Sequence, residues 1–140
     1  MLYAGENGEQ IWQTVLQTAS QRLGDDDCPS AKKMAILQTI ALFSGRASQQ
    51  AMLQALHDAT PPIRAMAVFY LGVNRCYEAK TQVLALLKTD PSLRVRKNAI
   101  ITLTKLQAAE YLSEIRPYLD IPYTRSAAAE AIRELSAHAY

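Results

Sequence analysis

Four prolines punctuate this chain at nearly even distances: Pro29, Pro61, Pro91 and Pro122, spaced by 32, 30 and 31 residues. Each sits at the head of an apolar stripe with helical period. A proline is tolerated in the first helical turn, where its missing N–H has no partner to lose. A period near 30 in a chain of alternating helical patterns means paired helices stacked in ranks. One helical hairpin cannot bury its apolar side alone, but neighbours can share a continuous core. The composition agrees: 49% of residues are hydrophobic and 20% charged, which is globular rather than disordered. Alanine and leucine, both strong helix formers, dominate the aliphatic set.

Eight helices follow from the periodicity, over residues 9–23, 31–43, 49–58, 62–71, 77–88, 93–106, 108–119 and 125–139. Ile11, Trp12, Val15, Leu16, Ala19 and Leu23 make the first stripe. Ser30, Thr60 and Asp90 stand where caps belong. Gly72 is placed to end the fourth helix, and Pro117 to kink or stop the seventh. Residues 1–8 read as a flexible lead-in and 9–140 as a single domain, with units at 9–43, 46–73, 77–106 and 108–138.

The units repeat in detail. Ile63, Arg64, Ala67, Val68 and Leu71 fall on Val95, Arg96, Ala99, Ile100 and Leu103. The fourth unit follows with Arg125, Ala128, Ala129 and Ile132, and the first more loosely with Lys32, Ala35 and Ile36. Small residues at Ala67, Ala99 and Ala128 mark close helix contacts. The segments "DATPPIRAMAVFYLG" and "DPSLRVRKNAIITL" resemble the short HEAT-like repeats of phycobilisome lyase proteins and of many bacterial repeat proteins. The resemblance implies an all-α fold, an α-solenoid of about four hairpins wound as a right-handed superhelix. It also implies a scaffold or docking surface on a concave side lined by the even-numbered helices. The glycine usual after the leucine is present at Gly72 and replaced by Thr104 in the third unit.

The recurring arginines admit two readings. Arg64, Arg94, Arg96, Lys97, Arg125 and Tyr70 are the candidates for partner binding on the concave side. Alternatively, the arginines tie to Asp58, Asp90 and Asp120 and to turn carbonyls, as a structural ladder. Lys88, Arg94, Arg96, Lys97 and Lys105 form the densest basic stretch, without the interleaved aromatics of a strand-binding platform. Residues 1–30 carry Glu6, Glu9, Asp25, Asp26 and Asp27 against Arg22, so the remainder is mildly basic within a net charge of +2.

His57 and His138 lack a partner at metal-ligand spacing, and Asp25, Asp26 and Asp27 do not match a calcium loop. Glu110 and Glu114, four apart, read as a wet helix face rather than an acid/base pair. Cys28 and Cys76 show no metal or redox spacing; in a lyase-like protein, Cys76 beside Tyr77 would be the place for a thioether-linked pigment. Neither a signal peptide nor a membrane span is visible, so a cytoplasmic setting is expected. The expectation is a non-enzymatic protein-interaction module without metal or cofactor, its partner an unidentified protein. Nucleic-acid binding through residues 88–105, or an accessory role beside a bilin-lyase-like enzyme, are the alternatives.

Overall fold

A computed structural model describes residues 6–25, 27–42 and 45–137 of the chain. Eight α-helices are found among them: α1 Glu6–Leu23, α2 Ser30–Ala41, α3 Arg46–Ala55, α4 Pro61–Val73, α5 Lys80–Thr89, α6 Leu93–Lys105, α7 Leu112–Ile115 and α8 Pro122–Ala137. A 3-10 turn, Tyr77–Ala79, leads into α5, and α7 lies between 3-10 turns at Ala109–Tyr111 and Arg116–Asp120. Pro117 is the second residue of the latter turn, so α-helical hydrogen bonding stops at Ile115, as a proline requires. Helix α1 begins at Glu6, so residues 6–8, expected in the lead-in, are helical; residues 1–5 lie outside the described residues.

The helices form an all-α stack of pairs: α1 with α2, α3 with α4, α5 with α6, and α7 with α8. The even-numbered helices make the tightest layer, α4 against α6 and α6 against α8, with α2 against α4. The core runs unbroken through this layer. Leu37, Ile40, Val68, Leu71, Ile100, Leu103 and Leu135 are all within 2% of complete burial. Ala99 is fully buried in the same layer. Ala99→Leu is therefore expected to overpack it by about 1–3 kcal/mol, read as a lower melting temperature.

Helices α4 and α6 end alike, though neither ends on glycine. After α4, the Cys76 N–H donates to the Leu71 carbonyl (3.0 Å) and the Arg75 N–H to that of Gly72 (3.1 Å). After α6, Ala108 donates to Leu103 (3.0 Å) and Gln107 to Thr104 (3.1 Å). Both are Schellman ends. They place Arg75 (φ 55°) and Gln107 (φ 58°) in the left-handed region, at a cost of about 1–2 kcal/mol each for an L-residue.

Gly72, expected to terminate α4, lies inside it instead. A Cβ there would stand 2.9 Å from Thr102 Oγ1 and 3.2 Å from Thr102 Cα. The missing side chain is what lets α4 and α6 approach. Thr102 Oγ1 uses the closeness to donate to the Val68 carbonyl (2.7 Å), and Asn98 Nδ2 to that of Ala65 (3.0 Å). Neighbouring units also satisfy each other's helix ends. Asn74 Nδ2 donates to the Ala41 carbonyl (3.2 Å), Arg75 Nη1 to that of Lys105 (2.6 Å), and the Tyr118 hydroxyl to that of Leu87.

Two expected caps shift by a residue or two. Ser30 is the first residue of α2, with Pro29 at the N-cap. Ser92, not Asp90, caps α6 by accepting from the Val95 N–H.

Candidate functional site: the face of helices α4, α6 and α8

The recurrent charges divide from the free ones on inspection of their bonds. Arg64 donates from Nε to Asp90 Oδ2 (2.8 Å) and from Nη2 to Asp90 Oδ1 (3.1 Å), a two-pronged pair with the following unit. Its Nη1 reaches the Asp58 carbonyl (2.9 Å) and that of Ala59 (3.2 Å). Asp90 also accepts from the Ser92 N–H (2.9 Å), closing its own turn. One unit earlier the pattern recurs with a lysine: Lys33 Nζ lies 2.8 Å from Asp58 Oδ2, and Asp58 Oδ1 accepts from the Thr60 N–H (2.8 Å). Lys33 thus stands in the arginine register of the first unit, one residue beyond the Lys32 expected there. That shift puts Leu37 and Ile40, both buried, on Val68 and Leu71.

The aspartate and arginine of one turn therefore do not pair with each other as side chains. In the first two units the cation reaches forward to the aspartate of the next: Lys33 to Asp58 and Arg64 to Asp90. The backbone carbonyl six residues back is shared by all three arginines: Asp58 for Arg64, Asp90 for Arg96 and Leu119 for Arg125 (2.8 Å). Counted this way, Leu119 takes the aspartate position in the last unit. Asp120, expected in the ladder, is exposed and makes no side-chain hydrogen bond among the described residues.

Burial pushes the Asp58 carboxyl up, but the bonds from Lys33 and Thr60, with the Lys33 charge, outweigh it. The result lies below the ordinary value of 3.8. A carboxyl depressed by folding contributes stability above its unfolded pKa, and loses it as pH falls through the folded value. Wild type is expected to weaken progressively below about pH 4. Asp58→Asn should be less stable at neutral pH and flatter through that acid range, as read from denaturant melts at each pH.

What remains free forms a surface on α4, α6 and α8. Phe69 and Tyr70 meet edge to face on α4, with ring centroids 5.7 Å apart. Lys105 Nζ of α6 sits 4.6 Å from the Phe69 ring centre, and Lys97 Nζ lies 4.8 Å from that of Tyr123 on α8. Each such cation–π contact at an exposed site contributes roughly 0.5–1 kcal/mol. Between α6 and α8 runs a groove of about 340 Å³. Lys105 and Arg75 flank one side, Glu130 and Glu134 the other, and Ile101 and Ala127 line it between them.

The six residues expected on the concave side are thus split. Lys97 and Tyr70 join this surface, and Arg94 is exposed at the start of α6. Arg64, Arg96 and Arg125 bond the turns. The basic stretch is likewise broken up, since Lys97 and Lys105 each cover an aromatic ring and Lys88 lies on α5. Phe69, Arg75, Glu130 and Glu134 were missed by motif reading. A period-3.6 plot of exposed positions on α4 and α8 is the signal that finds Phe69, Glu130 and Glu134; Arg75 lies in the turn after α4, outside any helical period.

The remaining candidates are scattered. Cys28 and Cys76 are buried free thiols. Burial and the neighbouring Glu78 push the Cys76 thiol up, away from the thiolate that pigment attachment would use. His57 and Asp25 and Asp27 are exposed, while Asp26 and His138 lie outside the described residues. Among the described residues, no three or more His, Cys, Asp or Glu side chains gather as a metal-binding group, and no helix is long and apolar enough to cross a membrane.

Comparison with solved structures gives human deoxyhypusine hydroxylase, in complex with glycerol, at a TM-score of 0.79 and 21% identity. The match covers 94% of this chain and 47% of that one, so the chain spans about half its length. No curated protein matches. A family model of HEAT repeats matches residues 49–135, which take in α4 to α7 and most of α3 and α8. That model is wider than the lyase-type branch expected from the sequence. With its stacked pairs, the chain belongs to the HEAT-repeat family.

Proposed function

We propose that this chain is a non-enzymatic protein-docking module that grips its partner on the α4–α6–α8 face. The observation carrying the proposal is the continuous strip from Phe69 through Lys105 and Ile101 to Glu130 and Glu134. It joins exposed aromatic area to cations and carboxylates on opposite sides of one groove. Interface cores favour aromatic anchors within a polar rim. The matching partner segment carries an apolar side chain for the groove, a carboxylate toward Lys105 and Arg75, and a basic group toward Glu130 and Glu134. Those two glutamates also disfavour a nucleic-acid backbone, whose phosphates they would repel. The two buried free thiols suit a reducing, cytoplasmic setting.

The test begins with a protein captured on the wild-type chain, then titrated against variants. Lys105→Glu is expected to weaken binding at least ~10-fold, or about 1.4 kcal/mol, while the loss of its contact with Phe69 lowers the melting temperature by only a few degrees. An affinity equal to wild type sinks the proposal. Tight binding of a mixed-sequence duplex that falls steeply with salt would put nucleic acid in the partner's place.

A further inference from the structure

The side chains of the strip share a register that their types conceal. Phe69, Ile101 and Glu130 each lie five residues beyond the repeated arginine of their helix, Arg64, Arg96 or Arg125. Val73, Lys105 and Glu134 each lie nine beyond it. Equivalent positions of stacked units stand level with one another. The six therefore make two rows that cross α4, α6 and α8 one unit at a time. Exposed apolar side chains, Phe69 and Val73, stand at one end of the rows. The Lys105 cation stands in the middle, and the exposed Glu130 and Glu134 at the other end. The contact of Lys105 Nζ with the Phe69 ring spans the first step, and the groove spans the second.

The step length limits what can lie across these rows. Packed helices stand about 8–10 Å apart, so a crossing segment has to present side chains on one side at that interval. A β-strand does not, since its same-side residues fall at about 6.7 Å and then about 13 Å. A polyproline II chain does, because three residues at ~3.1 Å return a side chain to the same side every ~9.3 Å. An α-helix comes near it with every seventh residue, at about 10.5 Å. The groove favours the extended chain over the helix. Gln107 lines it, is exposed, and makes no side-chain hydrogen bond among the described residues. Arg75, also in the lining, uses Nη1 on the Lys105 carbonyl and carries further N–H donors. A polyproline II backbone has no internal hydrogen bonds and offers its carbonyls to such donors. A helix keeps its carbonyls to itself.

Resting on the docking proposal, we infer that the partner segment is a proline-rich chain of the polyproline II type that crosses α4, α6 and α8. It sets an apolar side chain on Phe69 and Val73. Three residues on, a carboxylate meets Lys105 and Arg75. Three residues further, a cation meets Glu130 and Glu134. The charges fix which side chain stands on which helix: exchanging the acid and the base of the segment sets like charges together on both α6 and α8.

Three capped peptides titrated into the full chain, followed by amide NMR shifts, test the inference. The first is Leu-Pro-Pro-Glu-Pro-Pro-Lys, with a Kd of about 0.1–1 mM expected. The second exchanges Glu and Lys, and the third shortens the step to two residues as Leu-Pro-Glu-Pro-Lys. Both are expected to bind at least ~10-fold more weakly than the first. In a chain carrying Glu130→Lys and Glu134→Lys, both at exposed positions, the first peptide should lose at least ~10-fold. Replacing its terminal Lys by Glu should restore binding to that variant. Equal affinities for the three peptides, or no binding of the first at ~5 mM, overturn the inference. So does a helical peptide with the same three side chains at its first, eighth and fifteenth positions that binds more tightly than the first. If Lys105→Glu still weakens the captured partner in any of these cases, the docking proposal stands and the extended segment alone is lost. If it does not, the docking proposal itself has failed.

Discussion

Arg64→Met is expected to be the most damaging substitution of a cation in this chain. It removes both prongs of the Asp90 pair and the bonds to two turn carbonyls. Asp90, its side chain 3% exposed, keeps its charge with the Ser92 N–H as its remaining partner. Breaking a buried pair from one side costs about 3–5 kcal/mol, because the abandoned charge stays desolvated. For a domain of this size, that lowers the melting temperature by roughly 10 °C or more. Arg94→Met on the exposed start of α6 is the control, expected within about 0.5 kcal/mol of wild type. Adding Asp90→Asn to Arg64→Met removes the stranded charge while keeping an acceptor for Ser92, so the double variant should recover much of the loss. Equal melts for Arg64→Met and Arg94→Met would show that the cross-unit tie contributes nothing.

Gly72→Leu is expected to come next, at about 3 kcal/mol. On an open helix face, replacing glycine gains up to about 1 kcal/mol from propensity. Here the new Cβ meets Thr102 Oγ1 at 2.9 Å, and that oxygen is anchored to the Val68 carbonyl at 2.7 Å. The Thr102 Cα at 3.2 Å belongs to backbone, so relief requires moving α6 off α4. Gly72→Ala should fall in the same direction by a smaller amount. Thr102→Ala should rescue it only in part, because the backbone contact remains. Thermal melts of the four chains decide the point: a stabilised Gly72→Ala would mean that α4 and α6 are not pressed together.

The stack itself was legible because proline, arginine and small-residue positions repeat at a fixed period, and a period is a one-dimensional property. What lay beyond it required a neighbour in space. Lys33 reads as a solvent-facing lysine until Asp58, 25 residues later, is placed beside it. Asp90 looks like a cap for its own helix, yet its side chain joins its own turn to Arg64 of the unit before. Gly72 matches a helix terminator by type, and only the position of Thr102 shows that its task is close approach. The ends of α4 and α6 escaped because Arg75 and Gln107 adopt a backbone conformation that residue type argues against. The face proposed for docking was half visible. Lys97 and Tyr70 stood out as a charge and an aromatic, whereas Phe69, Glu130 and Glu134 acquire meaning from sharing one surface with Lys105.

The division of labour is the central claim: recurrent charged residues tie the turns and, at Lys33 and Arg64, neighbouring units, and the non-recurrent strip on α4, α6 and α8 is proposed to meet the partner. A photo-crosslinking amino acid placed at Ile101, in the groove, or at Ala85, exposed on α5, tests it most directly. With the captured partner present, a covalent adduct is expected from position 101 and none from position 85. An adduct from position 85 alone would contradict the account.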